Sequence, residues 1–294
     1  MTTTEAQNGR PATAILLVHG PLREGLAASL TGFVYRNTGH IVYHDQYVDR
    51  EKQLYFTRLE WGLPGFAVPR EEIGERLNAA VAEPFGVRWR LHFSDDIPRM
   101  AIFVSKLPYC LYDILARCRS GEWKVEIPLI ISNHPELEPV AKRFGIAFHC
   151  FPITPANKRA QEQKELALLR KNGIEFIVLA RYMQILSGDF VAAYPDAIIN
   201  IHHAFLPSFP GPQPYHAAYQ RGVKIIGATS HYVTEHLDAG PIIEQDVIRV
   251  SHLHTVEDLI RMGRDLEKVV LARAIWHHIQ RKILAYGGRT VIFG

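Results

Sequence analysis

The sequence predicts an α/β protein with two successive units, one built on an antiparallel sheet and the other on a mostly parallel sheet. Two observations predict it. Up to residue 93, apolar segments of strand and helix length follow one another in the order β-α-β-β-α-β. After residue 99, near-continuous apolar strands alternate with helices, which is typical of a parallel sheet covered on both faces.

The first unit is expected over residues 12–93. Its element order matches the ferredoxin-like split unit, in which four antiparallel strands carry two helices on one face. The predicted strands are 12–19, 40–48, 53–60 and 87–93, and the predicted helices are 22–38 and 69–83. The polar residues 1–11 are expected to form a disordered tail, and residues 94–98, which are polar and end in Pro98, are expected to form a linker.

The second unit is expected over residues 99–294. Its first half contains predicted strands at 101–104, 127–131, 146–150 and 176–179 and predicted helices at 110–119, 135–144 and 155–172. A loop rich in Pro, Gly and His follows at 200–215, then strands at 224–233 and 242–250 and a long helix at 255–285. Ligands gather at the carboxyl ends of such strands, where irregular loops lie, so we expect the site there.

Composition excludes several classes of function. With 33 Lys and Arg against 30 Asp and Glu, the net charge of +3 gives no reason to expect a nucleic-acid partner. The three cysteines form neither a CxxC pair nor an even framework, and they indicate reduced thiols in a cytoplasmic protein. No apolar run reaches the roughly 18 residues of a membrane-spanning helix, so no membrane association is expected.

One short segment carries groups suited to acyl transfer. Asn200 and His202 stand two residues apart at the end of an apolar strand, and side chains with that spacing point the same way. An amide donor beside an imidazole can hold the oxyanion of a tetrahedral intermediate. Further along, Asp238 places a carboxylate in a tight turn before another apolar strand, and near His202 it would favour the imidazolium and could orient a water.

Two alternatives stand beside this interpretation. A lone Asn-x-His is more often a turn cap and a core histidine than a catalytic pair. A zinc site is the other, because seven of the fifteen histidines fall between His202 and His254. His-His and His-x-His without a convergent Cys or Glu pattern are poor evidence for zinc, so we expect no metal.

A series of motifs decides between these alternatives. Asn200-Ile201-His202, Leu206-Pro207, the segment GATSHYV at 227–233 and the segment DAGPII at 238–243 resemble, in this order, the formyltransferase family that uses 10-formyltetrahydrofolate. The segments IISNHP at 130–135, LARYMQILS at 179–187, NIHH at 200–203 and IEQDV at 243–247 are similar to those of formyltetrahydrofolate deformylases, a family with a small ACT domain before the formyltransferase-like domain. The resemblance covers nearly the whole chain.

The resemblance implies hydrolysis of 10-formyltetrahydrofolate to tetrahydrofolate and formate, without a bound cofactor. It places the catalytic trio at Asn200, His202 and Asp238, with water as nucleophile. It implies a folate pocket with nine lining residues, although ordinary core packing is an equally good interpretation of Met183, Ile185 and Leu186. These residues are Arg181, Tyr182, Met183, Ile185, Leu186, His203, Ala228, His231 and Gly240.

A competing function is formyl transfer to an amine acceptor such as a glycinamide ribonucleotide. Enzymes with that activity carry a Gly-Ser-Asn loop for the acceptor's phosphate, where this chain has the bulky segment 105–110, SKLPYC. Its side chains and Pro108 remove the backbone N–H nest that a phosphate needs, which favours water as the acceptor. A third hypothesis, a folate- or amino-acid-binding regulator without catalysis, disagrees with the presence of the whole trio.

Two further expectations concern loops and regulation. ACT domains bind small amino acids at a glycine-containing turn, here the turn around Gly25, which lacks the family's aspartate. The effector, glycine or methionine, is thus an open expectation beside a purely dimerising role, and a homo-oligomer, dimer or tetramer, is expected. The loop at Pro210, Pro212 and Gln213 departs from the Lys-Gly-Ala of many deformylases, which puts its contacts but not the trio in question.

Overall fold

The computed structural model describes residues 11–207 and 214–294, and this part of the chain divides into two compact units. The first holds the described residues up to Asp96 together with Arg281–Leu284 and Val291–Gly294. The second holds those of Ile97–Gln280 together with Ala285–Thr290. The sequence predicts that these two C-terminal segments belong to the second unit, residues 99–294. The structure corrects this prediction, because they group with the first unit. The predicted tail, up to residue 10, lies outside the described residues.

The first unit has the predicted β-α-β-β-α-β order. Its elements are β1 (Thr13–Pro21), α1 (Leu26–Arg36), β2 (Ile41–Asp49), β3 (Leu54–Gly62), a helical stretch at 70–85 and β4 (Arg88–Phe93). Among the described residues of this unit, β1 to β4 form an antiparallel sheet in the order β2-β3-β1-β4. Alternate residues of β1, namely Ala14, Leu16 and Val18, enter a core with Leu30 and Phe33 of α1. The predicted fold class of this unit is confirmed.

The second helix of this unit is irregular where a regular helix had been predicted at 69–83. A 3₁₀ turn (Arg70–Glu72) leads into α2 (Ile73–Leu77), a π-helical turn (Asn78–Ala82) and α3 (Glu83–Phe85). Pro84 explains the wide turn, because proline has no N–H to donate and its ring clashes with the carbonyl four residues earlier. Gly86 ends the helix in the left-handed conformation, with φ of 66°.

The second unit is built on a mixed sheet. Its elements are β5 (Arg99–Val104), α4 (Tyr109–Arg119), β6 (Glu126–Ser132), α5 (Glu138–Arg143), β7 (Ala147–Cys150), α6 (Lys158–Lys171), β8 (Phe176–Leu179), α7 (Gly188–Ala192), β9 (Ile198–His202), α8 (Pro214–Arg221), β10 (Ile225–Tyr232), β11 (Ile242–Arg249) and α9 (Val256–Ile279). In the described part of the chain, β5 to β11 form a sheet in the order β11-β10-β9-β8-β5-β6-β7. It is parallel from β7 to β9, and β10 and β11 join antiparallel.

Helices cover the central strands of this sheet, as the apolar runs predict. Every residue of β5 from Met100 to Val104 is fully buried, which requires cover on both faces. The chain builds outward from β5 to β7, returns to β8 beside β5, and then continues to β11. This reversal between β5 and β8 is a topological switch point, where a crevice opens at the strands' carboxyl ends.

Helix α9 ends earlier than predicted. It begins with a capping box at Thr255 and Asp258, packs against β9, β10 and β11, and ends at Ile279 rather than at residue 285. Arg281 then takes a φ of 53°, and β12 (Ile283–Tyr286) pairs with β13 (Arg289–Ile292). The prediction was wrong because a short apolar run such as 283–284 continues a helical pattern as well as it begins a strand. None of the helices in the described ranges combines the length and apolar character needed to cross a membrane.

Candidate active site

The pairing of β9 with β10 brings the first site residues together. Asn200 and His202 lie on one face of β9, while Ile199 and Ile201, which alternate with them along the strand, are buried on the other. The antiparallel register places Asn200 opposite His231. An amide and two imidazoles are thus collected on adjacent strands near the carboxyl end of β9.

Asp238 completes this group from the turn that follows β10. Its Oδ1 lies 3.3 Å from Nδ1 of His202 and 3.7 Å from Nε2 of His231. The hydrogen bond with His202, followed by that with His231, holds the pKa of the Asp238 carboxyl well below its usual range. The carboxylate therefore remains ionised at neutral pH.

A glycine allows the turn to bring Asp238 to this position. A Cβ on Gly240 would lie 1.7 Å from the carbonyl oxygen of Tyr232, so no other residue fits there without displacing the backbone. The N–H of Tyr232 donates to the carbonyl of Pro241 at 2.9 Å, which closes the turn. Asp238 itself has a φ of 53°, a left-handed conformation that Asp tolerates better than most residues.

His231 is buried under the group and orients it. Its Nδ1 lies 2.9 Å from the carbonyl oxygen of Tyr232, and because that oxygen can only accept, Nδ1 carries the proton. Its Nε2 lies 3.3 Å from Nδ2 of Asn200 and 3.7 Å from Oδ1 of Asp238. His231 thus contacts both the amide and the carboxylate of the group.

The arrangement joins an oriented amide donor, a half-buried imidazole and an ionised carboxylate. Such a group can stabilise an oxyanion and orient a water for attack on an acyl carbon. Within residues 11–207 and 214–294, no cluster of three or more His, Cys, Asp or Glu side chains is placed to hold a metal ion.

Comparison with known proteins identifies the family to which the chain belongs. Residues 98–275 match the model of the formyl transferase family. The chain is 56% identical over 281 residues to a formyltetrahydrofolate deformylase of Synechocystis sp., an alignment that covers 96% of this chain and 98% of that relative. The chain belongs to the formyltetrahydrofolate deformylase family. This is a family of enzymes, and the match extends over 96% of the chain.

Solved structures agree with this membership in the deformylase family. A formyltetrahydrofolate deformylase from Pseudomonas syringae pv. tomato superimposes with a TM-score of 0.94 at 38% identity, covering 97% of this chain and 96% of that one. A glycinamide ribonucleotide transformylase from Symbiobacterium toebii gives a TM-score of 0.63 at 31% identity and covers 70% of this chain and 98% of its own. The likeness to the deformylase extends over more of this chain.

The predicted folate-binding residues of this deformylase-family chain fall into three groups. Arg181, His203 and His231 lie in or beside the group around Asp238, since Nη1 of Arg181 is 2.8 Å from Nδ1 of His203 and the His203 ring stacks on His202. Met183 and Ile185 follow β8 and expose 59% and 60% of their surface. The remaining residues are buried: Tyr182, Leu186, Ala228 and Gly240.

The switch-point crevice is ordered by a short polar chain. The hydroxyl of Ser105, just after β5, donates to Oδ1 of Asn133 at 2.6 Å. It also accepts from the N–H of Met183 at 3.0 Å. Ser105 thereby ties the segment after β8, where Met183 and Ile185 are exposed, to the end of β5.

Three residues near the site were not singled out from sequence as functional: Tyr109, Tyr215 and Glu267. The hydroxyls of both tyrosines donate to the carboxylate of Glu267, which is buried on α9. The signal for Glu267 is a charged residue within the apolar stripe of a helix, between Gly263 and Val270. The partners lie 158 and 52 residues away in the chain, and no local pattern connects them.

Two further predicted features lie elsewhere. Gly25 precedes α1 in the first unit with a φ of 79°, and nothing lies within 4 Å of a Cβ added to it. The loop departures at Pro210, Pro212 and Gln213 fall outside the described residues. The roles of both remain predictions.

Proposed function

We propose that this chain hydrolyses 10-formyltetrahydrofolate to tetrahydrofolate and formate, with Asn200, His202 and Asp238 as the catalytic residues. The observation that carries the proposal is the convergence of these three side chains from β9 and the turn after β10. Membership in the deformylase family supports the reaction, and the contacts support the roles.

The roles follow from the chemistry of each group. The amide N–H of Asn200 and the imidazolium of His202 stabilise the oxyanion that develops on the formyl oxygen, and each such donor contributes about 10²- to 10³-fold in rate. Asp238, ionised and 3.3 Å from Nδ1 of His202, orients that ring and leaves Nε2 to face the substrate. The carboxylate also accepts a hydrogen bond from the attacking water.

The proposed reaction balances in two steps. The water oxygen bonds to the formyl carbon, the carbonyl π electrons move to its oxygen, and the water gives one proton to the Asp238 carboxylate that accepts its hydrogen bond. The carbon–nitrogen bond then breaks, N10 receives that proton, and the oxyanion electrons restore the carbonyl of formic acid. Formic acid ionises at neutral pH, so the products are tetrahydrofolate, formate and one proton.

We place the pterin end of the substrate in the switch-point crevice. The segment after β8 provides exposed apolar surface on Met183 and Ile185, and Ser105 fixes its backbone. Ligand pockets combine such apolar surface with a few fixed polar groups. Tyr182, Leu186, Ala228 and Gly240 would act there through backbone groups and packing, because these residues are buried.

Formyl transfer to an amine is the competing function. Tyr109 is the first residue of α4 and lies in the segment where the transfer enzymes carry their phosphate-binding loop. Its hydroxyl donates to Glu267 at 2.6 Å. A bulky side chain held there by a buried carboxylate disfavours a phosphorylated acceptor. The match to deformylases over 96% of the chain also favours water.

An assay without an added acceptor tests the proposal. Purified protein should release formate from 10-formyltetrahydrofolate, and Asn200→Ala, His202→Ala and Asp238→Ala should each lower kcat/KM by about 10² or more. Asp265→Ala, an exposed change on α9, is the control and should keep the wild-type rate. Full turnover by Asp238→Ala contradicts the mechanism, and release that depends strictly on an added amine contradicts hydrolysis.

The expectations about an effector at Gly25, an ACT role for the first unit, a homo-oligomer and a cytoplasmic location are retained as proposals. Formate release with and without glycine or methionine tests the effector, with Gly25→Val as the variant that should abolish any response.

A further inference from the structure

Glu267 lies on the apolar face of α9 with 1% of its surface exposed. A buried carboxylate is strongly unfavourable unless it is paired and hydrogen-bonded. Oε2 accepts from the Tyr109 hydroxyl at 2.6 Å and lies 3.3 Å from Nη1 of Arg181, and Oε1 accepts from the Tyr215 hydroxyl at 2.8 Å. Gly263, one turn earlier, makes room for Tyr215, because a Cβ there would lie 2.1 Å from the tyrosine oxygen.

The same guanidinium determines the state of His203. Nη1 of Arg181 lies 2.8 Å from Nδ1 of His203. Arginine has donors and no acceptor, so Nδ1 must provide a lone pair, and the proton of the neutral ring lies on Nε2. Burial, followed by the charge of Arg181, lowers the pKa of His203 to about 4.

His203 in turn stacks on the catalytic imidazole. The ring centroids of His202 and His203 are 5.0 Å apart and their planes differ by 17°. Two imidazolium rings in this arrangement would repel each other, whereas a neutral ring permits a positive charge on the other. Asp238 contacts His202 directly and so stabilises a cation there.

We propose that Arg181 and Glu267 are positioning residues that hold His203 as a neutral ring with the proton on Nε2, so that the stacked pair carries its positive charge on His202 alone. This rests on the proposed function for the role of His202. The groups that face His203 are Arg181 after β8, His202 on its own segment, Asp238 after β10 and Tyr215 on α8. Glu267 and Tyr109 act on it through Arg181.

Histidine nitrogen NMR tests the proposal without reference to activity. In the ¹⁵N-labelled protein, with signals assigned by His203→Asn, we expect His203 to show a bare Nδ1 and a protonated Nε2 and not to titrate between pH 5 and 8. A protonated Nδ1, or titration near pH 6.5, overturns the proposal. Because this measurement needs no turnover, its outcome is separate from the success or failure of the hydrolase proposal.

A charge-balanced variant tests the cause. Arg181→Met with Glu267→Gln removes both charges and leaves no unpaired buried ion, so the pKa of His203 should rise from about 4 toward its ordinary value, with burial still holding it below that value. Arg181→Lys keeps a cationic donor and should keep the ring neutral. The control, Lys268→Met with Asp265→Asn, removes an exposed pair on the same helix and should change nothing. An unchanged His203 in the folded double variant overturns the proposal.

The pH profile of formate release gives the functional readout. In the double variant, kcat/KM should fall about twofold at the pH where NMR shows half of His203 protonated, and about tenfold one pH unit below it. The wild type and the Lys268/Asp265 control should lack this acid limb. A uniform loss of activity at all pH values indicates a merely structural role and contradicts the proposal.

Discussion

Replacement of Gly240 by alanine should displace the catalytic carboxylate through the backbone. The added Cβ would lie 1.7 Å from the carbonyl oxygen of Tyr232 and 2.9 Å from its carbon, both backbone atoms that cannot rotate away. Ordinary contacts begin above about 3 Å, so the turn must move by roughly 1.5 Å, and overpacking of this kind costs about 1 to 3 kcal/mol. Asp238 lies two residues earlier and moves with the turn.

The expected loss of activity follows from that displacement. The contact between Asp238 and His202 is 3.3 Å long, and a shift of about 1 Å in a catalytic group can lower the rate by about 10²-fold. We therefore expect Gly240→Ala to lower kcat/KM for acceptor-free formate release by about 10² and to reduce the urea midpoint of unfolding. Gly188→Ala, where nothing lies within 4 Å of the new Cβ, is the matched control. If Gly240→Ala retains the wild-type kcat/KM within threefold, the argument for this turn is refuted.

Three further changes have defined expected results. Burial, followed by the charge of Glu162, raises the pKa of Glu165 to about 8. The carboxyl therefore ionises in the unfolded chain at lower pH than in the folded protein, so the free energy of unfolding falls by about 1 kcal/mol per pH unit as pH rises from about 4.5 to 8. Glu165→Gln should remove this slope in urea titrations. Thr255→Ala removes the cap of α9 and should lower the free energy of unfolding by about 1 kcal/mol. His231→Phe removes the partner of the Asn200 amide and should lower kcat by about 10-fold or more in the formate assay.

Each of these has a conservative or exposed control. Glu138→Gln changes an exposed carboxyl on α5 and should leave the pH dependence of stability as it is. Thr255→Ser keeps the hydroxyl acceptor and should retain the stability. His231→Asn keeps a polar side chain and should lose less activity than His231→Phe. A flat stability difference between wild type and Glu165→Gln across pH 5 to 8 contradicts the assigned state of Glu165.

The sequence predicted those parts of the fold that depend on local periodicity. Residues 100–104 and 176–179 are apolar without alternation, and both strands lie at the centre of a covered sheet. The spacing of Asn200 and His202 placed them on one face of β9, as observed. The position of Asp238 came from motif resemblance, since nothing local indicates that a turn 36 residues from His202 meets it.

Other features depend on contacts between distant segments. Glu267 lies on the same face of α9 as its apolar neighbours. Only the three donors that converge on it explain a carboxylate there. The strand after Arg281 could not be distinguished from a continued helix, because its apolar run is only a few residues long. The π-helical turn before Pro84 follows from a steric effect that hydrophobic periodicity does not report.

The order of strands in the second unit has a consequence for synthesis on the ribosome. β5, β6 and β7 are made first and form one side of the sheet, and β8 to β11 are then added outward on the other side. Asp238 and Glu267 are the last contributors to the site, and both follow β10 in the chain. The residues of the parallel strands are therefore synthesised before the two carboxylates, and the imidazoles of β9 acquire their counter-charge only near the end of translation.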